Sequence, residues 1–314
     1  MKLFKRTLPV FLVFQDDCIR YVKLTSKSPL VVDKLGEKIL PQGVIHEGKI
    51  LDRTTLSKMI HQCVDEWKLK GKKVRFTVPD AITFIRKIPV PSAIPEKELE
   101  GYIGVEIGAS IHVPFDEPVF DTHKLEQHEE TTDYLLFAAP ENVMKEYMSV
   151  LEEAKLKPID AELSSLAIYR LYHHIGMVED TKRYLLLNVE RNGISGTAFD
   201  KHSPVFTRFI SLHPPQDHQG TKHDYFDYEE RWTEITTEIG RIMNFYQFSL
   251  SEGVEFDAFL ISGDHPSFEK FQNQVEEAFN INVIEIPKGS VKLFRGLDVP
   301  TKFYAPVGLG LKGE

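Results

Sequence analysis

Three carboxylates mark where this 314-residue chain could do chemistry: Asp16 and Asp17 in one polar turn, Glu190 in another. The first turn joins the apolar run at residues 11–14 to the run at 18–24. The second joins residues 184–189 to residues 194–199, and in each case a third apolar segment follows, at 30–40 and at 205–212. Each half therefore reads as strand, tight turn, strand, turn, strand, so two related lobes are expected to face each other with their first turns meeting at a cleft. In a duplicated fold that clasps a nucleotide, such turns hold phosphates, because glycine lets backbone amides approach the anion. Here both turns lack that glycine and carry acids.

Other groupings invite sharper readings. Asp160 and Glu162 have the look of a paired-carboxylate acid–base site, but two residues apart after Pro158 they are expected to cap the following helix or to sit at a lobe interface. His213, His218 and His223, with Asp217 and Asp224, match no defined zinc spacing and read as a solvated loop. His173 and His174 fall near a helix end, where they favour the C-terminal dipole. Asn192-Gly193 reads as a hairpin turn rather than an anion nest, since Asn-Gly favours the positive φ of such turns. The apolar stripe from Trp232 to Tyr246 reads as core.

The elements that must position these residues follow from periodicity. Asp52 with Thr54 or Thr55 opens a helix carrying Leu56, Ile60, Cys63, Val64 and Trp67. Strands are expected at 72–78 and 82–90, the latter stopped by Pro89 and Pro91. A compact α+β module follows: a helix over 95–107, strands near 119–125 and 133–139, and a helix over 141–156. A helix over 164–175 bridges to the second meander. Beyond a loose segment at 213–227 come a helix over 229–250, a strand at 256–261 ending in Ser262-Gly263-Asp264, a helix over 268–279, a strand at 282–286 and a short closing helix at 305–312.

Composition narrows the class. A 42% hydrophobic content in 314 residues suffices for two lobes with real cores. The net charge of −9, with signs mixed along the chain, argues against a nucleic-acid binder. Two cysteines without ligand spacing, Cys18 and Cys63, indicate a reducing compartment. Lys2, Lys5 and Arg6 before residues 8–14 imitate a short export signal, but no small-residue cleavage site follows, so a cytoplasmic location is expected.

Short segments in a fixed order carry a family resemblance. They include Gly43-Val-Ile-His-Glu-Gly-Lys-Ile-Leu-Asp52, Ile85-Arg-Lys-Ile-Pro-Val-Pro91, Val113-Pro114-Phe115, Phe137-Ala-Ala-Pro140, Ile159-Asp-Ala-Glu162 and Val307-Gly-Leu-Gly-Leu-Lys-Gly313. Together they resemble the type IV pilus assembly PilM family of the actin-like ATPase superfamily, related to FtsA. The resemblance implies an α/β, actin-like (ribonuclease H-like) two-lobed fold with an inserted α+β module. Its layout would be a first lobe at 1–91 and 157–181, the module at 92–156, and a second lobe at 182–314 with a reduced small subdomain around 213–250. It also implies a protein at the cytoplasmic face of the inner membrane that binds the N-terminal tail of a PilN-like membrane protein, near the junction of module and first lobe; Pro114 and Phe115 are the candidate contacts.

Against the family's pattern of Asp-x-Gly at both phosphate turns, this chain is degenerate. Val13 stands for the aspartate and Gln15 for the glycine, with Asp16, Asp17 and Cys18 in place of small polar residues. The second turn has Asn188 for aspartate and Glu190 for glycine, with Gly193 beyond it. The adenosine loop reduces to Gly263-Asp264. Each unscreened carboxylate–phosphate contact at ~4 Å would cost roughly 1–4 kcal/mol. The expectation is a non-catalytic scaffold of a pilus or competence-type machine, not an enzyme, with no cofactor, neither ATP nor magnesium, expected. It would meet other machine components, bind no nucleic acid and reach the membrane through partners. The alternatives are an ATP-binding or ATP-hydrolysing actin-like protein with an atypical cleft and, third, a sugar-kinase-like enzyme.

Overall fold

The computed structural model describes residues 8–212 and 231–313. The first meander forms as its apolar runs require: β1 (Val10–Phe14), β2 (Cys18–Lys27) and β3 (Leu30–Ile39) pair antiparallel in sequence. A hairpin of β4 (Ile45–His46) and β5 (Lys49–Ile50) turns through Glu47 and Gly48, both at positive φ (45° and 75°). That geometry belongs to tight two-residue hairpins and suits glycine. Asp52 then caps α1 (Arg53–Trp67), accepting the Thr55 amide at 2.9 Å, and the helix buries Leu56, Ile60, Cys63 and Val64. β6 (Lys73–Val78) returns parallel to β1.

A 3-10 turn at Asp80–Ile82 leads into the module: β7 (Phe84–Pro91), α2 (Leu99–Glu106), β8 (Pro118–Gln127) and β9 (Thr131–Pro140). Leu99 and Ile103 of α2 cover Ile88, Val90 and Leu136 on one face of its sheet. α3 (Glu141–Glu153), β10 (Lys157–Leu163) and α4 (Ser164–His174) bring the chain back to the first lobe. The second lobe contains the repeated meander of β11 (Arg183–Val189), β12 (Gly193–Asp200) and β13 (Ser203–Ser211). It continues through α5 (Trp232–Phe245), a π-helical turn at Tyr246–Leu250, β14 (Ala258–Gly263), α6 (Phe268–Phe279) and β15 (Val283–Glu285), and α7 (Tyr304–Leu311) closes the fold.

The strands make a five-stranded sheet in the order β10-β6-β1-β2-β3 and an eight-stranded sheet in the order β15-β14-β11-β12-β13-β7-β9-β8. Between the two meanders lie α4 and α7. One apolar cluster runs through both lobes: Phe11 and Val22 from one sheet, Leu186 and Leu260 from the other, with Ala167, Leu171 and Val307 between them. The two helices touch so closely that a Cβ on Gly308 would lie 1.9 Å from the Ala167 carbonyl oxygen. The duplicated, two-lobed architecture expected from the sequence is therefore present.

Packing redraws the expected module at 92–156. β7 pairs along its length with β9 and so belongs to the module's sheet, whereas Val143, Tyr147, Val150 and Leu151 of α3 are buried in the core of the first lobe. Pro89 does not stop β7, which runs on and ends at Pro91. β13 meets β7 at a single register pair, Phe206 opposite Arg86, so past that point one side of β7 is an open edge where a missing N–H costs little.

Candidate functional site

β1 and β6 run parallel, as do β11 and β14, so four strand ends converge between the lobes. Ligands in open α/β sheets sit at such carboxyl ends. The residues that follow these strands are Gln15-Asp16-Asp17, Pro79-Asp80, Glu190 and Asp264.

Gln15 and Glu190 line one small cavity between the lobes. Gln15, buried beneath the first turn, accepts the Cys18 thiol proton at 3.0 Å. Asn188, also buried, donates to Glu190 Oε1 at 2.8 Å. Burial pushes the Glu190 carboxyl up to about 8, reinforced by the nearby Asp80 and Asp264 charges and opposed by the Gln15 and Asn188 amides. Burial likewise raises the Cys18 thiol, which stays a proton donor.

The other two carboxylates of the first turn are occupied by protein groups. Asp16 accepts the Glu47 and Gly48 amides at 2.6 and 3.0 Å, tying the first turn to the β4–β5 hairpin. Asp17 faces Arg191 of the second lobe, Nε to Oδ2 at 3.3 Å. Burial and the Asp264 charge hold its pKa above the usual carboxylate range, against the pull of Arg20 and Arg191.

Arg20, absent from the expected site, is its main cation. It lies on β2 with a buried side chain; Nε donates to Glu37 at 2.8 Å, one Nη donates to the Lys302 carbonyl at 3.2 Å, and the other Nη pairs with Asp264 of the second lobe. Lys302 also pairs with Glu37. Burial works to raise the Glu37 pKa, but hydrogen bonds from Lys302 and Arg20 prevail and hold it low. Asp80 forms another link between the lobes. Its carboxylate accepts the Ser164 amide (3.2 Å), the Ser164 hydroxyl (2.6 Å) and, from the second lobe, the Ser195 hydroxyl (2.7 Å), while burial raises its pKa.

Glycine survives where space demands it. A Cβ on Gly193 would sit 2.0 Å from the Phe209 ring, and one on Gly263, at φ +138°, would sit 2.0 Å from the Val189 carbonyl oxygen. Neither Asn192 nor Gly193 is among the residues of positive φ, so that turn keeps glycine to admit the Phe209 ring, not for the backbone conformation expected of Asn-Gly. The space left among Phe14, Gln15, Asp17, Asp80, Glu190 and Phe209 is about 20 Å³, room for roughly one water.

Of the residues singled out in the sequence, Gln15, Asp16, Asp17, Glu190 and Gly193 line this cavity. Val13 does not: it is buried in the cluster between the lobes. Asp160 and Glu162 lie on β10 and cap no helix; α4 begins after Leu163 without a side-chain cap. They pair instead with Arg75, Arg170 and Lys312, holding the C-terminal segment against the first lobe. His173 and His174 do fall in the last turn of α4. The His213, His218 and His223 group lies outside the described residues. Among the described residues no cluster of three metal-ligating side chains occurs, and no helix is long and apolar enough to cross a membrane. Pro114 (exposed) and Phe115 (half-buried) lie between α2 and β8, outside the apolar junction of module and first lobe formed by Ile85, Leu135 and Leu163.

A signal for Arg20 was present in the sequence: a charge inside Cys18-Ile-Arg20-Tyr-Val, a run otherwise fit for burial on both faces, demands a buried counter-ion. Asp80 and Ser195 carried no comparable signal.

Among solved structures, one described as a PilM–PilN type IV pilus biogenesis complex superposes with a TM-score of 0.78 at 18% identity, covering 98% of this chain and all of the other. The ethanolamine utilization protein EutJ from Carboxydothermus hydrogenoformans superposes with a TM-score of 0.50 at 11% identity, over 97% of this chain and 89% of that one. These likenesses show the fold, which is actin-like. No curated protein sequence matches significantly. A family model described as type IV pilus assembly protein PilM matches residues 14–211, well over half the chain. The protein therefore belongs to the PilM family of type IV pilus assembly proteins.

Proposed function

We propose that this protein acts in pilus assembly as a non-catalytic scaffold whose nucleotide cleft is closed by its own side chains. The observation that carries this reading is the set of contacts across the cleft, Arg20 with Asp264, Arg191 with Asp17 and Ser195 with Asp80, beside a small cavity lined by Gln15 and Glu190. With Arg20 on Asp264 and Arg191 on Asp17, the donors that would meet phosphates are already taken by carboxylates. The residues present do not fit a magnesium–nucleotide: about 20 Å³ remains, against the several hundred that small-molecule sites occupy.

The same reading assigns the protein to the cytoplasmic face of the inner membrane, where it binds the cytoplasmic tail of a PilN-like partner. An apolar peptide would find its contacts at the junction cluster, where half-buried Leu125, Phe137 and Leu166 pack against buried Ile85, Leu135 and Leu163. Short peptides gain affinity from such contacts. Two measurements test the reading. Titration with magnesium–ATP should leave the melting temperature unchanged; a saturable upward shift at submillimolar nucleotide would overturn the closed cleft. Immobilised partner tails should capture the wild type and release Phe137→Ala, and failure of every tail to capture the wild type would overturn the scaffold.

A further inference from the structure

At the pole of the first lobe opposite the cleft, six lysines share one edge. The turn from α1 into β6 supplies Lys68, Lys70, Lys72 and Lys73, and the turn from α3 into β10 supplies Lys155 and Lys157. The two turns are bonded together, the Gly71 amide to the Lys155 carbonyl (2.8 Å) and the Lys157 amide to the Lys72 carbonyl (2.9 Å). All six side chains are exposed, and among the described residues none has an ion-pair partner. Nearby acids do not offset them: Glu66 is committed to Lys38 and Glu153 to Arg53, which leaves Asp65 and Glu152 on the adjoining helical turns.

Local structure accounts for two of the six. Lys68 and Lys155 follow the C-termini of α1 and α3 at positive φ (59° and 64°), where a cation complements the helix dipole. It does not account for the rest. Lys73 and Lys157 stand directly opposite in the β6–β10 register, a like-charge pairing that weakens a sheet. In a chain of net charge −9, six like charges gathered on one braced edge form a local field that attracts an anionic surface.

We infer that this edge docks on an anionic lipid bilayer through headgroup charge, without help from a partner protein. The residue choice favours a membrane over nucleic acid. All six are lysines, point charges suited to a diffuse negative surface, whereas the arginine fork that reads ordered phosphates is missing. The nearest aromatic, Trp67, is stacked on Tyr21 (ring centroids 5.1 Å apart) and offers no free face for a base on that side. β6 and β10 run from this edge to the cleft, so a docked protein keeps its cleft on the far side of the lobe.

Cosedimentation of the full chain with phosphatidylcholine vesicles, with and without phosphatidylglycerol, tests the inference. Binding is expected only to the anionic vesicles and should fall as salt rises. Each lysine contributes about a five-fold gain, so the combined Lys70→Gln, Lys72→Gln, Lys73→Gln and Lys157→Gln variant should lose affinity several-hundred-fold. Its melting temperature should match the wild type, and a variant with Lys49 and Lys58 changed to Gln should bind normally. The inference is overturned by equal binding to neutral vesicles, by no binding to anionic ones, by full binding of the quadruple variant, or by tighter binding to duplex DNA than to vesicles.

Discussion

Glu190→Gln isolates the energetic consequence of enclosing an acid in the turn between β11 and β12. The folded carboxyl titrates at about 8, against about 4.5 when the chain is unfolded. The folded state therefore binds the proton more tightly, so this group contributes most stability below about pH 4.5 and loses it as pH rises toward 8 and above. Integrating between pH 5.5 and 8.5 gives a loss of about 3 kcal/mol from this residue alone. Glutamine mimics the protonated side chain in shape and neutrality, so the variant should lack this component. The assay is urea unfolding followed by tryptophan fluorescence at a series of pH values. Wild type and variant should agree to within about 1 kcal/mol at pH 5.5 and diverge by about 3 kcal/mol at pH 8.5, the variant being the more stable. Parallel profiles across the whole range would refute the claim that Glu190 is held neutral by its surroundings.

Arg20→Met should cost about 3–5 kcal/mol in urea unfolding, because it leaves Asp264 and Glu37 without their shared cation; a loss under 1 kcal/mol would mean that water reaches these carboxylates freely. Gly263→Ala forces a Cβ to within 2.0 Å of a backbone oxygen at φ +138°, and should cost about 3 kcal/mol or more, seen as a marked fall in melting temperature or as insoluble protein. Ser195→Ala removes the second lobe's donor to Asp80 and should cost about 1–3 kcal/mol, read from the denaturation midpoint.

The fold was legible where periodicity and turn chemistry agree. The two meanders, the stripe of α1 and the Asp52 cap all follow from residues within about ten positions of one another. β10 was not legible, because Pro158, Asp160 and Glu162 break the apolar alternation, and their partners Arg75, Arg170 and Lys312 come from elsewhere in the chain. The site divides the same way. The two acidic turns could be read directly, since Gln15-Asp16-Asp17 and Glu190 each stand between apolar strand runs. What those residues do could not, because the contacts that close the cleft join positions as remote as Arg20 and Asp264, or Asp80 and Ser195. The Asn-Gly turn illustrates the limit: the dipeptide suggested a backbone requirement, and the Phe209 ring, sixteen residues beyond Gly193, supplies the real one.

The tight seat of Gly308 on Ala167 has a mechanical consequence. Two bodies joined by a compliant hinge can swing, and each can melt by itself. Here the hinge helices are wedged at near-minimum separation at the back, while the arginine and serine latches fasten the front. Swinging one body against the other would break contacts at both ends at once, which gives the pair the stiffness of a single block. Such a block should melt in one transition, and a load applied to one lobe should reach the other undiminished.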